Sequence, residues 1–165
     1  MTKNEIKLVA KQWFLSKGFT KGVDKAFGNH FRVPLAEFDV YVMLHKDRFD
    51  EVFNFDIGFQ LKNNSSGWGH IRVIIPNEKY WKHITMADGS KAVVKHNFYY
   101  EEWSKEDYTE CLEKIYEIYI KPYFDLGFEL LKIIAKDPTC GGKYGASKEH
   151  PYGVHPEAVK VILSK

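Results

Sequence analysis

Apolar residues near the start of the chain recur every three or four positions, which is the spacing of one helical face. These residues are Ile6, Val9, Ala10, Trp13 and Phe14. Thr2 or Asn4 can cap the first turn, and Gly18 stands where glycine often follows a last turn. We therefore expect a helix that buries one face and ends before Gly18.

Apolar and polar residues then alternate over 37–45, 52–61 and 70–75, as in strands with one buried face. A less regular strand is expected over 26–33, and Pro34 would end it. The apolar positions of the three regular segments are Phe38, Val40, Val42, Leu44, Phe53, Phe55, Ile57, Phe59, Leu61, Ile71, Val73 and Ile75. Because turn-forming residues follow the second segment, the pattern predicts an antiparallel meander of three or four strands.

Pairing of these strands has to keep the apolar residues on one face, because a slip of one residue would reverse both faces. The expected pairs are Phe38 with Phe59, Val42 with Phe55, Asp39 with Gly58, Tyr41 with Asp56, Gly58 with Arg72, and Ile57 with Val73. The opposite, polar face then collects Glu37, Asp39, Tyr41, Asp56, Gln60, His70 and Arg72.

Helical spacing returns in the second half of the chain. Ser104, followed by Asp107, predicts the start of a helix, because serine caps a first turn and acidic residues favour its positive end. Pro122 lies within the apolar stripe that follows. The helix should therefore end or kink near 120–121 and resume afterwards.

Together these elements predict an α+β fold. An antiparallel sheet of about four to five strands has one apolar face, which the N-terminal helix and a Pro-broken C-terminal helix pair over 105–135 cover, because each apolar surface needs a partner layer. Residues 77–91 are expected to be irregular. We expect residues 1–138 to form a single domain, with a glycine-rich loop and a short helix over 139–165 as an appendage of the same domain.

The charge of the chain is nearly balanced, with a net charge of +2 over 165 residues. Residues 1–36, however, hold seven Lys and Arg against two acidic residues, a net charge of +5. The net charge of the whole chain is too small to predict nucleic acid as a partner by itself, and nucleic-acid binding through this lysine-rich first third stays a third alternative. The stripe of Lys3, Lys7 and Lys11 is interpreted as a solvated helix face rather than as a phosphate-binding surface.

Signatures of catalysis, metal binding and cofactor binding are missing from the sequence. The seven histidines include no H-x-x-x-H pair, the two cysteines no C-x-x-C pair, and no serine lies in a G-x-S-x-G turn. We therefore expect no catalytic residue, metal or cofactor, and free thiols at Cys111 and Cys140. The sequence has neither a signal-peptide core nor an apolar run that could span a bilayer, so we expect a cytoplasmic protein.

The polar sheet face allows two interpretations. Opposite charges on neighbouring strands can simply stabilise a solvent-exposed face. Alternatively, a ligand-binding surface is formed by Asp39, Tyr41, Asp56, His70 and Arg72. Arg72 would then hold an anionic group with two hydrogen bonds, Tyr41 would stack on it, and Gly58 would leave room for it. Aromatic residues of the kind enriched at binding surfaces lie at strand ends and in loops: Trp68, Tyr80, Trp81, Tyr99, Tyr100 and Trp103.

Three short motifs carry a resemblance to other proteins. They are Lys17-Gly18-Phe19, Phe55-Asp56-Ile57-Gly58-Phe59, and Tyr119-Ile120-Lys121-Pro122-Tyr123-Phe124. Over residues 5–136 the chain resembles a group of uncharacterised bacterial domains of unknown function that share the plan helix, Gly-Phe, β-meander, broken helix. The resemblance implies a small bacterial cytosolic protein, and it brings no activity, cofactor or catalytic residue with it.

The function expected from these observations is that of a non-catalytic binding or interaction module, such as an immunity-type protein, that uses the polar sheet face. Its partner would be a small anionic ligand or another protein. The alternative is a small enzyme that acts on an anionic substrate, with Arg72 as the anion clamp and Asp56 or His70 as acid or base.

Overall fold

In the computed structural model, which describes residues 1–24, 28–46, 52–137 and 153–165, the chain has the predicted α+β fold. The strands are β1 (Thr20–Asp24), β2 (Gly28–Pro34), β3 (Phe38–Lys46), β4 (Val52–Leu61), β5 (Trp68–Arg72), β6 (Lys82–Thr85), β7 (Lys91–Val94), β8 (Phe98–Tyr99) and β9 (Gly153–Val154). The helices are α1 (Lys3–Ser16), α2 (Lys105–Ile115), α3 (Lys121–Leu126), α4 (Phe128–Lys136) and α5 (Pro156–Leu163). Within the described residues, seven strands form one antiparallel sheet in the order β1-β2-β3-β4-β5-β9, and β8 pairs with β4.

The first helix, α1, has the predicted start and end. The Thr2 hydroxyl accepts a hydrogen bond from the backbone N–H of Glu5, and the Glu5 carboxylate accepts one from the backbone N–H of Thr2. This reciprocal cap satisfies two donors that a helix start otherwise leaves unpaired. Gly18 follows the helix with φ +86°, a left-handed conformation that glycine adopts without strain.

The register of the central strands differs from the prediction by two residues. Phe38 lies opposite Leu61 instead of Phe59, and Ile57 lies opposite Ile71 instead of Val73. A shift of two residues leaves every side chain on its predicted face, so alternation alone cannot detect it. The predicted pairs Val42–Phe55, Asp39–Gly58, Tyr41–Asp56 and Gly58–Arg72 are wrong for the same reason. The observed polar-face pairs are Asp39 with Gln60, Tyr41 with Gly58, Met43 with Asp56, Asp56 with Arg72, and Gly58 with His70.

The core lies between the apolar face of the sheet and the helices. Phe55, Ile57 and Phe59 of β4 belong to this core, whereas Asp56 pairs with His45 and Arg72 on the opposite face, which confirms the predicted sorting of the two faces. Residues on both faces of β4 are buried. Phe14 of α1 stacks on Phe31 of β2 with ring centroids 4.8 Å apart. Such aromatic contacts add packing energy beyond the burial of area.

The break predicted around Pro122 takes the form of a wider helical turn. Helix α2 begins at Ser104, whose hydroxyl accepts a hydrogen bond from the N–H of Asp107 at 3.0 Å. It passes through a π-helical turn over Tyr116–Ile120 into α3, where Pro122 stands in the first turn. Proline has no N–H to donate, and the wider turn before it accommodates that loss. Gly127, with φ +54°, separates α3 from α4.

The sheet is larger than predicted because it includes short strands without a clear alternating pattern. Edge strand β1 carries the exposed Val23, so burial imposes no alternation there. Strand β8 has only two residues. Strand β6, which lies in the region predicted to be irregular, forms a separate hairpin with β7, and Gly89 in its turn has φ +82°. Because these segments lack a clear alternating pattern, the sequence did not predict the edge strand or the hairpin.

The C-terminal segment returns to the main sheet. Strand β9 pairs with β5, and α5 packs on α4 with Ala158 and Ile162 fully buried. Most of the predicted glycine-rich loop, with Cys140 and His150, lies outside the described residues. None of the helices among the described residues is both long and apolar enough to cross a membrane.

Candidate ligand-binding groove

The sheet face turned away from the core carries two adjoining depressions, which we call the polar groove. Each has a volume of about 520 Å³. Gln60 and Ser65 line both depressions and join them. One depression is further lined by Arg32, Asp39, Tyr41, Leu61, Lys62, Asn63 and Asn64, and the other by Met43, His45, Asp56, Trp68 and His70. Alternation along β3 and β4 brings these side chains to one face.

Asp56 is the centre of a charge cluster in the polar groove. The residue is 5% exposed. Oδ1 accepts a hydrogen bond from Arg72 Nε at 3.1 Å, and Oδ2 lies 3.0 Å from His45 Nε2. Burial alone would raise the pKa of Asp56, but the hydrogen bonds from His45 and Arg72 outweigh burial and hold that pKa below its usual value. Asp56 is therefore ionised at neutral pH.

The stability of the protein should depend on this carboxylate at acid pH. Because its pKa is lowered in the folded state, Asp56 stabilises the fold above about pH 4, the pKa of an unfolded aspartate, and loses that contribution as the pH falls through the folded-state pKa. We expect D56N to destabilise the protein by about 1–3 kcal/mol at pH 6, with a smaller difference at pH 2.5. Urea unfolding of wild type and D56N at both pH values measures this.

A matched control for that experiment is Asp125, which forms an exposed pair with Lys121 on α3. D125N removes the same charge and should change stability by less than about 0.5 kcal/mol at either pH. Equal destabilisation by D56N at pH 6 and pH 2.5 would mean that the charge of Asp56 has no part in stability.

Asp39 lies at the other end of the polar groove and is only half satisfied. Asp39 is 4% exposed. Its Oδ2 atom lies 2.6 Å from Nη2 of Arg32. Oδ1 is buried and has no hydrogen-bond partner within the described residues. A buried acceptor without a partner costs about 1–3 kcal/mol. The side chain of Arg32 is 46% exposed, and its guanidinium lies 5.9 Å from the Tyr41 ring.

Trp68 and His70 form the aromatic part of the polar groove. Their rings stack with centroids 5.3 Å apart. The ring of His155 also lies near Trp68, with centroids 5.6 Å apart. Burial lowers the pKa of His70, and the nearby Asp56 carboxylate offsets this only in part. His70 is therefore a neutral, half-buried imidazole at pH 7.

Gly58 does not leave room for a ligand, contrary to the prediction. A Cβ on Gly58 would lie 2.7 Å from His70 Cα and would overlap the backbone carbonyl oxygen of Gly69. The space beside Gly58 is thus filled by the neighbouring strand β5. The glycine is needed for two backbones to approach each other, which is one of the known uses of glycine within a strand.

The structure separates the five predicted site residues into two groups. Asp39 and Tyr41 line one end of the polar groove, and Asp56 and His70 line the other. Arg72 is bonded to Asp56 at the edge of the second group. Glu37, also expected on this face, forms an exposed pair with Lys165.

The five predicted site residues do not include Arg32, His45 or Trp68, which also line the polar groove. Arg32 lies in β2, where alternation is irregular, and His45 and Trp68 lie at strand ends. His45 continues the alternation of Asp39 and Tyr41 along β3, but nothing in the sequence pairs it with Asp56. Trp68 was singled out as an aromatic residue near a strand end, which was the available signal.

Three of the other aromatic residues expected near a binding surface belong to the core. Tyr80 and Trp103 are buried and stack with ring centroids 3.6 Å apart, and Tyr100 is also buried. Trp68, in contrast, lines the polar groove. An aromatic residue outside a periodic segment is therefore not by itself a sign of a binding surface.

Metal and thiol chemistry find no support in the described part of the chain. Within it, no three His, Cys, Asp or Glu side chains are arranged to hold a metal ion. Cys111 is a free, buried thiol, and burial raises its pKa to about 12. The reactive thiolate form is thus scarce at neutral pH.

Comparison with known proteins adds no assignment to this geometry. The interpretation of the polar groove therefore depends on the contacts described above, and the resemblance to bacterial domains depends on its three short motifs. The chain matches no family model, and comparisons with curated proteins and with solved structures give no significant match.

Proposed function

We propose that the protein is a non-catalytic binding module whose polar groove receives a planar group with N–H donors, such as an amidinium, a guanidinium or a heteroaromatic base. The observation that carries this proposal is the buried, unpartnered Oδ1 of Asp39 at the lining of the groove. Most buried polar atoms in proteins have a partner, so an exception calls for an explanation. A donor from a ligand would supply the missing hydrogen bond.

The surroundings of Asp39 suit such a ligand. Arg32 holds the other carboxylate oxygen, and its half-exposed side chain can rotate to open a path to Asp39. Tyr41 also lines this end of the groove, and its ring lies under the Arg32 guanidinium, which would have to move to expose it. A planar group with N–H donors can bond to a carboxylate at its edge while its face contacts an aromatic ring.

Features of the other end of the groove argue against an anionic substrate. Arg72 already donates its Nε–H to Asp56, so less of its guanidinium is available to clamp an anion. The lowered pKa of Asp56 makes this carboxylate a weak base and keeps it from acting as an acid at neutral pH. These contacts support binding rather than catalysis, and turnover of a substrate panel by the purified protein would overturn the proposal.

The test compares benzamidine, a planar cation with N–H donors, with benzoate, an anion of similar shape, by calorimetric titration. We expect saturable binding of benzamidine and none of benzoate. D39N should weaken benzamidine binding about tenfold or more, because a hydrogen bond to a charged group contributes about 1.5–3 kcal/mol. D39N also removes the ion pair with Arg32, so circular dichroism checks that the variant is folded.

D125N, which removes an exposed carboxylate far along the sequence on α3, is the matched control and should leave benzamidine binding unchanged. If benzoate binds and R72A abolishes that binding, the anionic-ligand alternative replaces this proposal. If D39N and D125N weaken benzamidine binding equally, the effect is one of net charge and Asp39 is not a binding residue.

A further inference from the structure

A second cleft lies on the helical side of the sheet, between α1 and strands β1 to β4. We call it the lysine cleft. Its volume is about 450 Å³. Helix α1 contributes Asn4, Lys7, Leu8 and Lys11, which follow the spacing of one helical stripe. The sheet contributes Lys21, Asn29, His30, Phe31, Leu44 and Phe53.

Among the described residues, the lysine cleft is lined by basic side chains and by no acidic one. No carboxylate is among its described lining residues, and within the described chain Lys7, Lys11 and Lys21 form no ion pair. Several lysines elsewhere are paired, such as Lys17 with Glu113 and Lys114 with Glu110. Like charges that line one concave surface concentrate the field inside it and attract anions.

The floor of the lysine cleft is apolar. Phe31 and Phe53 are buried beneath it, and the Nζ atom of Lys7 lies 5.8 Å from the centre of the Phe53 ring. At the mouth, Leu8 is 52% exposed although it stands next to this apolar floor. An exposed leucine beside a concave apolar surface gains stability when a ligand covers it.

We propose that the lysine cleft binds an amphipathic organic anion, with a carboxylate, phosphate or sulfonate head against the lysines and an apolar body over Phe53 and Leu8. The cleft volume lies within the range of small-molecule sites, about 300–1,000 Å³. This site lies on the opposite face of the sheet from the polar groove, so each of the two proposals can fail without the other.

The experiment uses the fluorescence of 8-anilinonaphthalene-1-sulfonate, which has a sulfonate head and an aromatic body. Wild type should bind this probe at one saturable site, and dodecanoate and phenyl phosphate should displace it. The variant K7Q/K11Q/K21Q should bind at least about tenfold more weakly. L8S should bind about threefold more weakly, because half of one leucine loses its cover. Benzamidine should not displace the probe.

The control K91Q/K105Q/K136Q removes three exposed lysines outside the lysine cleft and should change probe affinity less than twofold. If both triple variants weaken binding equally, or if neither does, the proposal is wrong. Circular dichroism checks the fold, and the single variants K7Q, K11Q and K21Q replace the triple variant if it does not fold. Sedimentation with phosphatidylcholine–phosphatidylglycerol vesicles distinguishes a lipid head group from a free anion as the source of the ligand chemistry.

Discussion

The substitution G58A should destabilise the protein by about 3 kcal/mol or more, because the added methyl group would clash with backbone atoms, which cannot move aside as a flexible side chain can. Its Cβ would overlap the carbonyl oxygen of Gly69 and approach His70 Cα to 2.7 Å, and both are backbone atoms of β5. Strands β4 and β5 would have to separate at this point. Chemical denaturation measures the loss of stability. Relative to wild type, G58A should increase the rate of hydrogen exchange more in β5 than in β1.

Gly153 provides a matched control for Gly58, because both glycines are register partners of His70 on its two sides. A Cβ on Gly153 would meet nothing closer than 3.8 Å. G153A should therefore change stability by less than about 0.5 kcal/mol. If G58A were as mild as G153A, the described register of β4 and β5 would be wrong.

The substitution F55A should lower the free energy of unfolding by about 3–5 kcal/mol, the range for removing a buried phenylalanine ring. Phe55 is fully buried in the centre of β4. Its ring lies 6.3 Å from Phe14 of α1 and 5.1 Å from Phe98 of β8, so its loss leaves a cavity where the helical layer meets the sheet. Urea denaturation with wild type as reference measures the change.

Phe124 of α3 is the control for that prediction, since its ring is partly exposed while it still contacts Phe19 and Tyr116. F124A should cost about 1 kcal/mol, less than half the effect of F55A. A small effect of F55A would contradict the assignment of odd positions in β4 to the core, on which both faces of the sheet depend.

The assignment of side chains to faces was predictable from sequence because apolar residues occupy every second position of β4. Phe55, Ile57 and Phe59 are buried, and Asp56 lies on the other face, as their alternation predicts. The register of the paired strands was harder to predict from sequence. Strand pairs shifted by two residues satisfy the same alternation, and the lengths of the connections, which decide between them, carry no comparable signal.

The composition of the polar groove was only partly predictable for the same reason. A shift of two residues brought Asp56 opposite Arg72 and Tyr41 opposite Gly58. His45 and Arg32, which pair with Asp56 and Asp39, come from positions where no pattern identifies a partner. The orphaned oxygen of Asp39 depends on packing around it in three dimensions, which alternation does not describe.

The lysine cleft shows a different limit of the sequence. In the sequence, Lys7 and Lys11 belong to a helical stripe of lysines, and such a stripe predicts a solvated helix face. That interpretation lacked Lys21 and the apolar floor, which come from strands that follow α1 in the chain. Charge along one helix predicts an exposed surface, whereas the cleft arises only when β1 and β2 fold beside that helix.

Chemical-shift mapping with ¹⁵N-labelled protein and benzamidine tests most directly whether the polar face of the sheet is a binding site. We expect the largest shifts at Asp39, Tyr41 and Gln60, and none at Lys7 or Lys11 of the lysine cleft. Shifts confined to the lysine cleft, or benzamidine shifts that persist unchanged in D39N, would contradict a binding role for the polar groove.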